Sequence, residues 1–332
     1  MTAQKNWDML GHEWAVQMLR QHVAGQTQRH AYLFTGPQGV GRRTLALRLA
    51  QALNCPQPAA PGEACRDCQT CNQIEQMRHP DLAIIQADQI GGMLKVDQIR
   101  TLQHTLSLSP YSAPFRVAIL LRFEEANQNA ANALLKTLEE PPSQVVLVLT
   151  AESSELLMPT IVSRCEVLRL RPLPMDNLSQ GLQTLRGIPA REAALIAHLS
   201  DGRPGYALSL HNDPNLLTKR NTWLDDLRQL LNASLVERFA YAEAMVKDRE
   251  TMRGALSVWL SFWRDVMLCA SGTSTPLANL DRVEEIKNLT SRLDLITAQQ
   301  FVSALERTFD LLERNINPRL TVEVLMLELP RN

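Results

Sequence analysis

The chain has 332 residues, a length that predicts about two domains. Hydrophobic residues make up 45% and charged residues 21%, which excludes wholesale disorder and indicates a globular protein. The net charge of -1 argues against a protein that mainly coats phosphate backbones. No apolar run approaches the roughly 18 residues of a membrane span, and the N-terminus lacks the apolar stretch of a signal peptide. We therefore expect a cytoplasmic protein.

The first half of the chain alternates short apolar runs with helical patterns. Helices are predicted at about residues 42–53, 96–106 and 128–138. Strands that alternate with helices indicate a parallel sheet covered by helices on both faces. The predicted strands are residues 30–35, 82–85, 115–121, 145–150 and 166–170.

The pattern changes after Pro174, where strand signals almost vanish. Short helical patterns come first, and long amphipathic ones follow a break at His211-Asn-Asp-Pro214. The second half is therefore predicted to be all α-helical. Its predicted helices are residues 178–185, 190–199, 206–210, 215–232, 234–247, 250–271, 281–289, 297–314 and 318–329.

A glycine-rich loop, Gly36-Pro-Gln-Gly-Val-Gly41, follows a predicted strand and precedes a helix. In this context, backbone N–H groups and the helix N-terminus bind phosphate groups. The complete motif continues with Lys and then Ser or Thr, but Arg42 and Arg43 stand at those positions and Thr44 comes one place late. The candidate phosphate-contacting residues are Gly36, Gly39, Gly41, Arg42, Arg43 and Thr44.

The acidic partner of such a loop is also displaced. The apolar strand Val117-Ala-Ile-Leu-Leu121 runs into Arg122, where two adjacent acids would hold Mg²⁺ and orient water. Glu124 and Glu125 come two or three residues too late. A turn without a ligand, residual nucleotide or phosphate binding, and a competent ATPase remain the three alternatives. Departures in both the phosphate loop and its acidic partner favour a vestigial site.

Four of the six cysteines fall in one loop, with the spacing Cys55-x9-Cys65-x2-Cys68-x2-Cys71. Four thiolates suit tetrahedral Zn²⁺, and the short spacings allow chelating turns. An iron–sulfur cluster and four fortuitous thiols are the alternatives. Because four cysteines leave no position for a catalytic water, we predict a structural zinc site.

Two further segments stand out in the first half. Residues 131–142 read as a helix ended by two prolines, in which Leu134 and Leu138 have the spacing of core residues. Later, Arg164 follows a short helix and precedes a strand in Ser163-Arg-Cys165. Taken alone, this residue is an ordinary surface or capping arginine.

Together these segments closely resemble bacterial clamp-loader subunits of the AAA+ superfamily. The resemblance is carried by Asn132-Ala-Leu-Leu-Lys-Thr-Leu-Glu-Glu-Pro-Pro142 and by Ser163-Arg-Cys165, in this order and spacing. It spans essentially the whole chain. It also includes His30-Ala-Tyr-Leu-Phe34, the glycine-rich loop, the four cysteines, His79-Pro-Asp81, Val96-Asp-Gln-Ile-Arg100 and, more weakly, Trp263-Arg-Asp265 and Asn315-Ile-Asn317.

The resemblance implies a fold in three parts. Residues 1–170 would form an AAA+ α/β domain of the nucleotide-binding type, with a zinc module at residues 55–71. Residues 171–212 would form a small helical lid, and residues 213–332 a helical collar that holds a pentameric ring. The predicted fold class is therefore α/β plus all-α, with a P-loop-type parallel sheet.

The family contains ATPase subunits, named gamma and tau, and subunits that do not hydrolyse ATP. The damaged phosphate loop and the missing acids fit the second group. A third departure also fits, because Gly205 stands where the lid of the ATPase subunits carries a sensing arginine. Arg203 is displaced from that position by two residues. What these departures put in doubt is whether any ATP or ADP binds.

The resemblance implies a role in DNA replication. The subunit would join gamma/tau and delta subunits in the hetero-pentamer that serves DNA polymerase III and loads the sliding clamp onto primed DNA. Arg164 would act in trans on the ATP of a neighbouring subunit. A catalytically active gamma/tau-type ATPase with a variant loop is the alternative. A zinc-ribbon module that binds DNA is disfavoured, because the net charge is low and Arg66 is the one basic residue in the cysteine loop.

Overall fold

The computed structural model of the chain describes residues 6–89, 91–314 and 316–330. The chain divides into two compact units: Met1–Ala193 with Gly202–Tyr206, and Ala194–Asp201 with Ala207–Asn332. In its described residues, the first unit holds a parallel sheet with helices and the second holds helices without strands. The predicted fold class, an α/β part with an all-α part, is thus confirmed.

Five strands lie at the predicted positions: β1 (Ala31–Thr35), β2 (Leu82–Ile85), β3 (Arg116–Leu120), β4 (Val145–Ala151) and β5 (Glu166–Arg169). They form one parallel sheet in the order β2-β3-β4-β1-β5. Every residue of β1, β3 and β4 is buried. Strands that are buried on both faces need apolar side chains at successive positions, which explains their continuous apolar runs.

In the part of the chain that the structure describes, six α-helices accompany the sheet: α1 (Glu13–Ala24), α2 (Arg42–Asn54), α3 (Gln69–Glu75), α4 (Val96–Leu106), α5 (Gln128–Glu139) and α6 (Pro159–Val162). The predicted helices correspond to α2, α4, α5 and the short α6. Helices α1 and α3 are additional to them. Helix α3 has seven residues, of which only Cys71 and Ile74 are buried, so its apolar pattern is too short to identify a helix.

Alternate strand residues pack on opposite faces of the sheet. Tyr32 and Phe34 of β1 belong to the same apolar cluster as Leu45 of α2. Leu33, between them, belongs to a second cluster with Leu134 of α5. The sheet is thus covered on both faces, as its apolar strands require. Because the strands are parallel, the loops that follow them lie together at the carboxyl edge of the sheet, where α/β proteins bind ligands.

Helices α7 (Met175–Arg186), α8 (Ala190–Leu199) and α9 (Pro204–Asn212) follow the sheet. Residues 202–206 belong to the first unit, although the residues on both sides of them belong to the second. The backbone N–H of Leu173 donates to the Gly202 carbonyl oxygen at 2.7 Å. A Cβ atom at Gly202 would lie 2.1 Å from the Leu173 carbonyl oxygen, and φ is +69° there. This close approach therefore requires glycine.

The remaining helices are α10 (Pro214–Leu230), α11 (Leu235–Met245), α12 (Arg249–Ala270), α13 (Val283–Thr290), α14 (Leu295–Glu313) and α15 (Pro318–Glu328). They lie at the predicted positions. Their largest fully buried side chains include Trp259 and Trp263 of α12 and Phe301 of α14, and the rings of Trp263 and Phe301 meet edge to face at 4.9 Å. Among the described residues, we find no helix with the length and apolar character needed to cross a bilayer.

Candidate functional site

The glycine-rich loop connects β1 to α2, as predicted. Three of its glycines have positive φ: 142° at Gly36, 83° at Gly39 and 114° at Gly41. A Cβ atom at Gly36 would lie 2.3 Å from the carbonyl oxygen of Leu170, so a larger residue does not fit there. Gly41 is the N-cap of α2. The backbone thus retains a tight strand-to-helix turn of the phosphate-binding kind.

Residues 203–206 pack against this loop at Gly39. The backbone N–H of Gly205 donates to the Gly39 carbonyl oxygen at 2.7 Å. A Cβ atom at Gly39 would meet the Cβ and backbone nitrogen of Tyr206 at 2.9 and 3.0 Å. The Arg203 guanidinium lies 4.8 Å from the centre of the Tyr206 ring. The chain itself is therefore in van der Waals contact with its glycine-rich loop.

Arg42 stands where the complete motif has lysine, and its side chain is buried. Only 8% of the residue is exposed, and within the described part of the chain its Nη1 atom has no hydrogen-bond partner. Burial lowers the pKa of Arg42, while the negative charges of Glu124 and Glu152 act in the opposite direction. The guanidinium thus faces carboxylates of its own chain.

The next two candidate residues lie on the surface. Arg43 is exposed, and its Nη2 atom donates to the Met77 sulfur at 3.0 Å. Thr44 is exposed as well. Arg43 occupies the hydroxyl position of the motif, where Ser or Thr would bind Mg²⁺, and a guanidinium cannot bind a metal cation.

The two positions for acidic residues after β3 are filled by a buried leucine and an arginine. Leu121 is 6% exposed. Arg122 has a φ of 50°, and its Nε atom pairs with Glu125 at 3.0 Å. Glu125 also accepts a 2.7 Å hydrogen bond from the Gly91 backbone N–H. The Glu125 carboxylate is therefore used to hold two neighbouring segments together.

Glu124 is the acid that lies near Arg42, and sequence analysis did not assign it to the site. Burial raises the pKa of Glu124 to about 7, and the charge of Glu152 adds to the shift, while that of Arg42 opposes it. Its Oε2 atom is buried and has no hydrogen-bond partner among the residues that the structure describes. The sequence does not identify Glu124, because its position in the chain does not reveal that its side chain is buried.

The four cysteines of the predicted metal site come together. Their sulfur atoms all lie within 4.8 Å of one another. The Cys65 sulfur lies 3.5 Å from that of Cys55 and 4.0 Å from that of Cys71. Tetrahedral Zn²⁺ with bonds of about 2.3 Å places its sulfur ligands about 3.8 Å apart. The cluster therefore has the donor atoms and the spacing of a closed tetrahedral metal site.

Backbone N–H groups point at three of the four sulfurs and favour the thiolate form of Cys65, whereas burial raises the pKa of the Cys55 and Cys71 thiols. The N–H groups of Cys65, Cys68 and Cys71 point at the sulfurs of Cys55, Cys65 and Cys68, at 3.3, 3.4 and 3.4 Å. The bond from Cys68 lowers the pKa of the Cys65 thiol to about 7. Hydrogen bonds to ligand sulfurs are the outer support that metal sites use to orient their ligands.

The cysteine loop is tied to the segment before α1. The Trp7 Nε1 donates to the Gly62 carbonyl oxygen at 3.2 Å. The Asp8 carboxylate pairs with Arg66 of the loop at 3.1 Å and with Arg186 of α7 at 3.4 Å. The N-terminal segment thus connects the cysteine loop with α7.

Arg164 lies in the turn between α6 and β5. Its Nη2 atom donates to Glu139 Oε1 at 2.7 Å, and its Nη1 atom donates to the Thr160 carbonyl oxygen at 2.8 Å. The Arg164 side chain is 34% exposed. The two motifs that carry the family resemblance therefore meet in space. Sequence analysis did not single out Glu139 within its motif.

Comparison with known proteins gives consistent matches. A family model described as "DNA polymerase III, delta subunit" matches residues 11–174, and one described as "DNA polymerase III, delta subunit, C terminal" matches residues 214–330. The DNA polymerase III subunit delta' of Pseudomonas aeruginosa is 35% identical over 222 residues, 66% of this chain and 67% of that protein. Subunit delta' of Bacillus subtilis is 30% identical over 306 residues, 90% of each chain. Subunit tau of Escherichia coli is 32% identical over 208 residues, 61% of this chain and 32% of that protein.

The raised pKa of Glu124 predicts a pH-dependent loss of stability. In the unfolded chain this carboxyl ionises near its ordinary pKa of 4.5, whereas the folded chain keeps the proton until about pH 7. The contribution of this carboxyl to the free energy of unfolding is therefore fully present below about pH 4.5. It is lost as the pH rises to about 7, which lowers the free energy of unfolding by at most about 3 kcal/mol. Urea unfolding at several pH values should show that Glu124→Gln removes this fall.

The control for this measurement is Glu140→Gln, which changes an exposed carboxylate on the same unit. Parallel pH profiles for the parent chain and Glu124→Gln would contradict the buried, charge-opposed environment described for Glu124.

Proposed function

The chain belongs to the delta-prime family of DNA polymerase III clamp-loader subunits, and on this basis we propose that it serves the loader without hydrolysing ATP. In this proposal the subunit offers Arg164 to a nucleotide that a neighbouring subunit binds. The observation that carries the proposal is the contrast between a phosphate loop that lacks its lysine and hydroxyl and an arginine that is partly exposed in a turn.

The altered loop supports the non-hydrolysing role. Residues 203–206 pack against it at Gly39, where the Gly205 N–H donates to the Gly39 carbonyl oxygen. Arg42, which stands at the position of the phosphate-binding lysine, is buried beside Glu124 and Glu152 of its own chain. The loop therefore keeps the backbone turn of a phosphate site without the lysine and the hydroxyl that bind the phosphates and Mg²⁺. We propose that this loop does not bind ADP either.

The missing Mg²⁺ ligands are an independent argument for the non-hydrolysing role. Phosphoryl transfer needs Mg²⁺ held by a hydroxyl from the loop and an acid after the central strand. Arg43 and Leu121 replace these two groups. Hydrolysis by this chain would therefore need a metal site that the loop and strand do not supply.

Arg164 has the chemistry of an arginine that acts in trans. When a γ-phosphate is transferred to water, negative charge spreads over its equatorial oxygens. A guanidinium placed from outside stabilises this charge with a planar set of donors, which lysine cannot reproduce. Arg164 is partly exposed in a turn, so a partner's nucleotide could reach it. We propose Arg164 as the arginine finger of this subunit.

The helical half supports assembly with other subunits. On α15, Leu320, Val324 and Leu327 are 58%, 41% and 55% exposed and follow the i, i+4, i+7 spacing of one helix face. An apolar stripe of this kind is typical of an interaction surface. We propose that residues 213–332 form the collar through which the chain joins gamma/tau and delta subunits in a hetero-pentamer. The sliding clamp and primed DNA would be partners through the complex.

The remaining domain assignments follow from the same proposal. Residues 1–170 would be the AAA+ domain, with a zinc module at residues 55–71, and residues 171–212 the helical lid. We propose that the cysteine cluster holds one structural Zn²⁺ through Cys55, Cys65, Cys68 and Cys71, because the four sulfurs have tetrahedral spacing. The ion would fix a loop that is tied to the N-terminal segment and, through it, to α7.

The test of the function is Arg164→Ala in the reconstituted loader. We expect normal folding and assembly, because an exposed ion pair contributes only about 0–1 kcal/mol to stability. The neighbour's site should lose its arginine, which elsewhere contributes about 10³- to 10⁵-fold. The ATPase rate of the loader in the presence of clamp and DNA should then fall by at least the fraction of the rate that the neighbour's site contributes. Clamp loading should slow by about tenfold or more. Arg164→Lys should rescue poorly, because it lacks the planar fork.

Arg169→Ala is the matched control, because Arg169 is also exposed and lies no closer than 4.0 Å to its partner Glu155. A loader with Arg164→Ala that loads clamps at the parental rate would remove Arg164 from the mechanism.

The metal site is tested by Cys68→Ser. Metal analysis of the parent chain should find about one zinc per chain, because four cysteines make one closed site. The variant should lose the ion and unfold at a lower temperature, because the metal fastens the loop. Cys269→Ser, which changes a cysteine outside the cluster, should keep both properties. Unchanged zinc content and thermal stability in Cys68→Ser would refute the assignment.

A further inference from the structure

The guanidinium of Arg164 is held by two acceptors from different elements. Glu139, the last residue of α5, accepts a hydrogen bond from Nη2 at 2.7 Å. The carbonyl oxygen of Thr160, in α6, accepts one from Nη1 at 2.8 Å. A guanidinium has five N–H donors, so three N–H groups remain for another ligand.

Two bonds of this kind fix a side chain that is otherwise mobile. Arginine loses considerable rotamer freedom when it is ordered, and a group that is already ordered loses less at the moment of reaction. One bond fixes a single nitrogen, and the second also fixes the plane of the guanidinium. The plane matters here because a bidentate contact with phosphate oxygens depends on it.

Glu139 itself projects from a well-anchored helix. Leu134 and Leu138 of α5 are buried in the core under the sheet. The Asn127 side chain caps the start of the helix by accepting a hydrogen bond from the Ala130 N–H at 2.8 Å. Supporting groups on rigid elements position a functional side chain more accurately than groups on loops do.

The pair has little value for folding. The Glu139 side chain is 51% exposed and that of Arg164 is 34% exposed, and exposed ion pairs contribute little to stability. The carboxylate leaves the arginine charged, because guanidinium is not deprotonated in proteins. A carboxylate that neither supports the core nor changes the charge state of its partner is suited to orienting it.

We infer that Glu139 is a positioning residue, which keeps the Arg164 guanidinium oriented toward a phosphate group presented by another subunit. This inference rests on the proposed function of Arg164. It adds that Glu139 and Arg164, one residue from each of the two motifs, act as a pair in which the carboxylate orients the guanidinium.

The experiment compares Glu139→Gln and Glu139→Ala in the reconstituted loader with Arg164→Ala. Gln keeps an acceptor oxygen without the charge, whereas Ala removes both. We expect kcat for stimulated ATP hydrolysis at the site that Arg164 serves to fall about threefold with Gln and about tenfold with Ala. The KM for ATP should stay within about twofold, since Glu139 does not touch the nucleotide.

Glu140→Gln is the matched control, because it makes the same change at the next residue. Glu140 is exposed and forms no ion pair with any residue that the structure describes. Its loader should keep the parental kcat. Thermal unfolding and assembly should be unchanged for all the glutamate variants.

A second readout follows Arg164 directly in the isolated chain. NMR of the arginine Nε–H groups should report a less ordered Arg164 side chain in Glu139→Ala and an unchanged one in Glu140→Gln. This measurement does not depend on ATP hydrolysis, and a merely structural glutamate would leave the order of Arg164 unchanged.

The outcomes separate the two proposals. If Arg164→Ala impairs the loader and Glu139→Ala does not, the positioning role is refuted and the proposed function stands. If Arg164→Ala has no effect, both are refuted. If Glu139→Ala lowers the unfolding temperature or prevents assembly, or if Glu140→Gln lowers kcat equally, the positioning role is again refuted.

Discussion

The contact between the glycine-rich loop and residues 203–206 is the constraint on which the proposed role depends. The N–H of Gly205 donates to the Gly39 carbonyl oxygen, and Tyr206 packs where a Cβ atom of residue 39 would lie. Glycine at both positions is what allows the two backbones to approach so closely. A loop held in this way keeps the turn of a phosphate site and is fixed by a second segment of the same chain.

The charged residues around Arg42 are consistent with a loop that is not used for ATP. Arg42 is buried among Glu124 and Glu152, so its positive charge is opposed from within the chain. The segment before α1 then links the surrounding parts, because Trp7 contacts the cysteine loop and Asp8 bridges Arg66 and Arg186. A metal in the cysteine cluster would therefore stabilise more than its own loop.

Much of the fold could be predicted because its signals are local. Buried parallel strands need apolar side chains at successive positions, so an apolar run such as Val117–Leu121 can be recognised as a strand from the sequence. The cysteines are similar, because short spacings already bring sulfurs together. Contacts between distant segments could not be predicted in this way. The pairing of Glu139 with Arg164 and the contact of Gly39 with Gly205 have no periodic pattern, since they depend on how the chain returns to the sheet.

The same limit explains why Glu124 was set aside in the sequence. Its position after β3 is wrong for a metal ligand, and its importance comes from burial beside Arg42. For Glu124 the deciding factor is tertiary burial, which cannot be read from its neighbours in the sequence. Helix α3 is not predicted for a different reason, because its seven residues carry too few apolar positions to show a helical period.

The central claim is that this chain does not use its own phosphate loop for ATP. The most direct test is calorimetric titration of the isolated chain with Mg²⁺ and a slowly hydrolysed ATP analogue, followed by an ATP turnover assay on the same preparation. The account predicts no saturable binding up to about 1 mM, the upper end of ordinary KM values, and no turnover above background. Saturable binding of one nucleotide per chain, with turnover that survives rigorous purification, would contradict it.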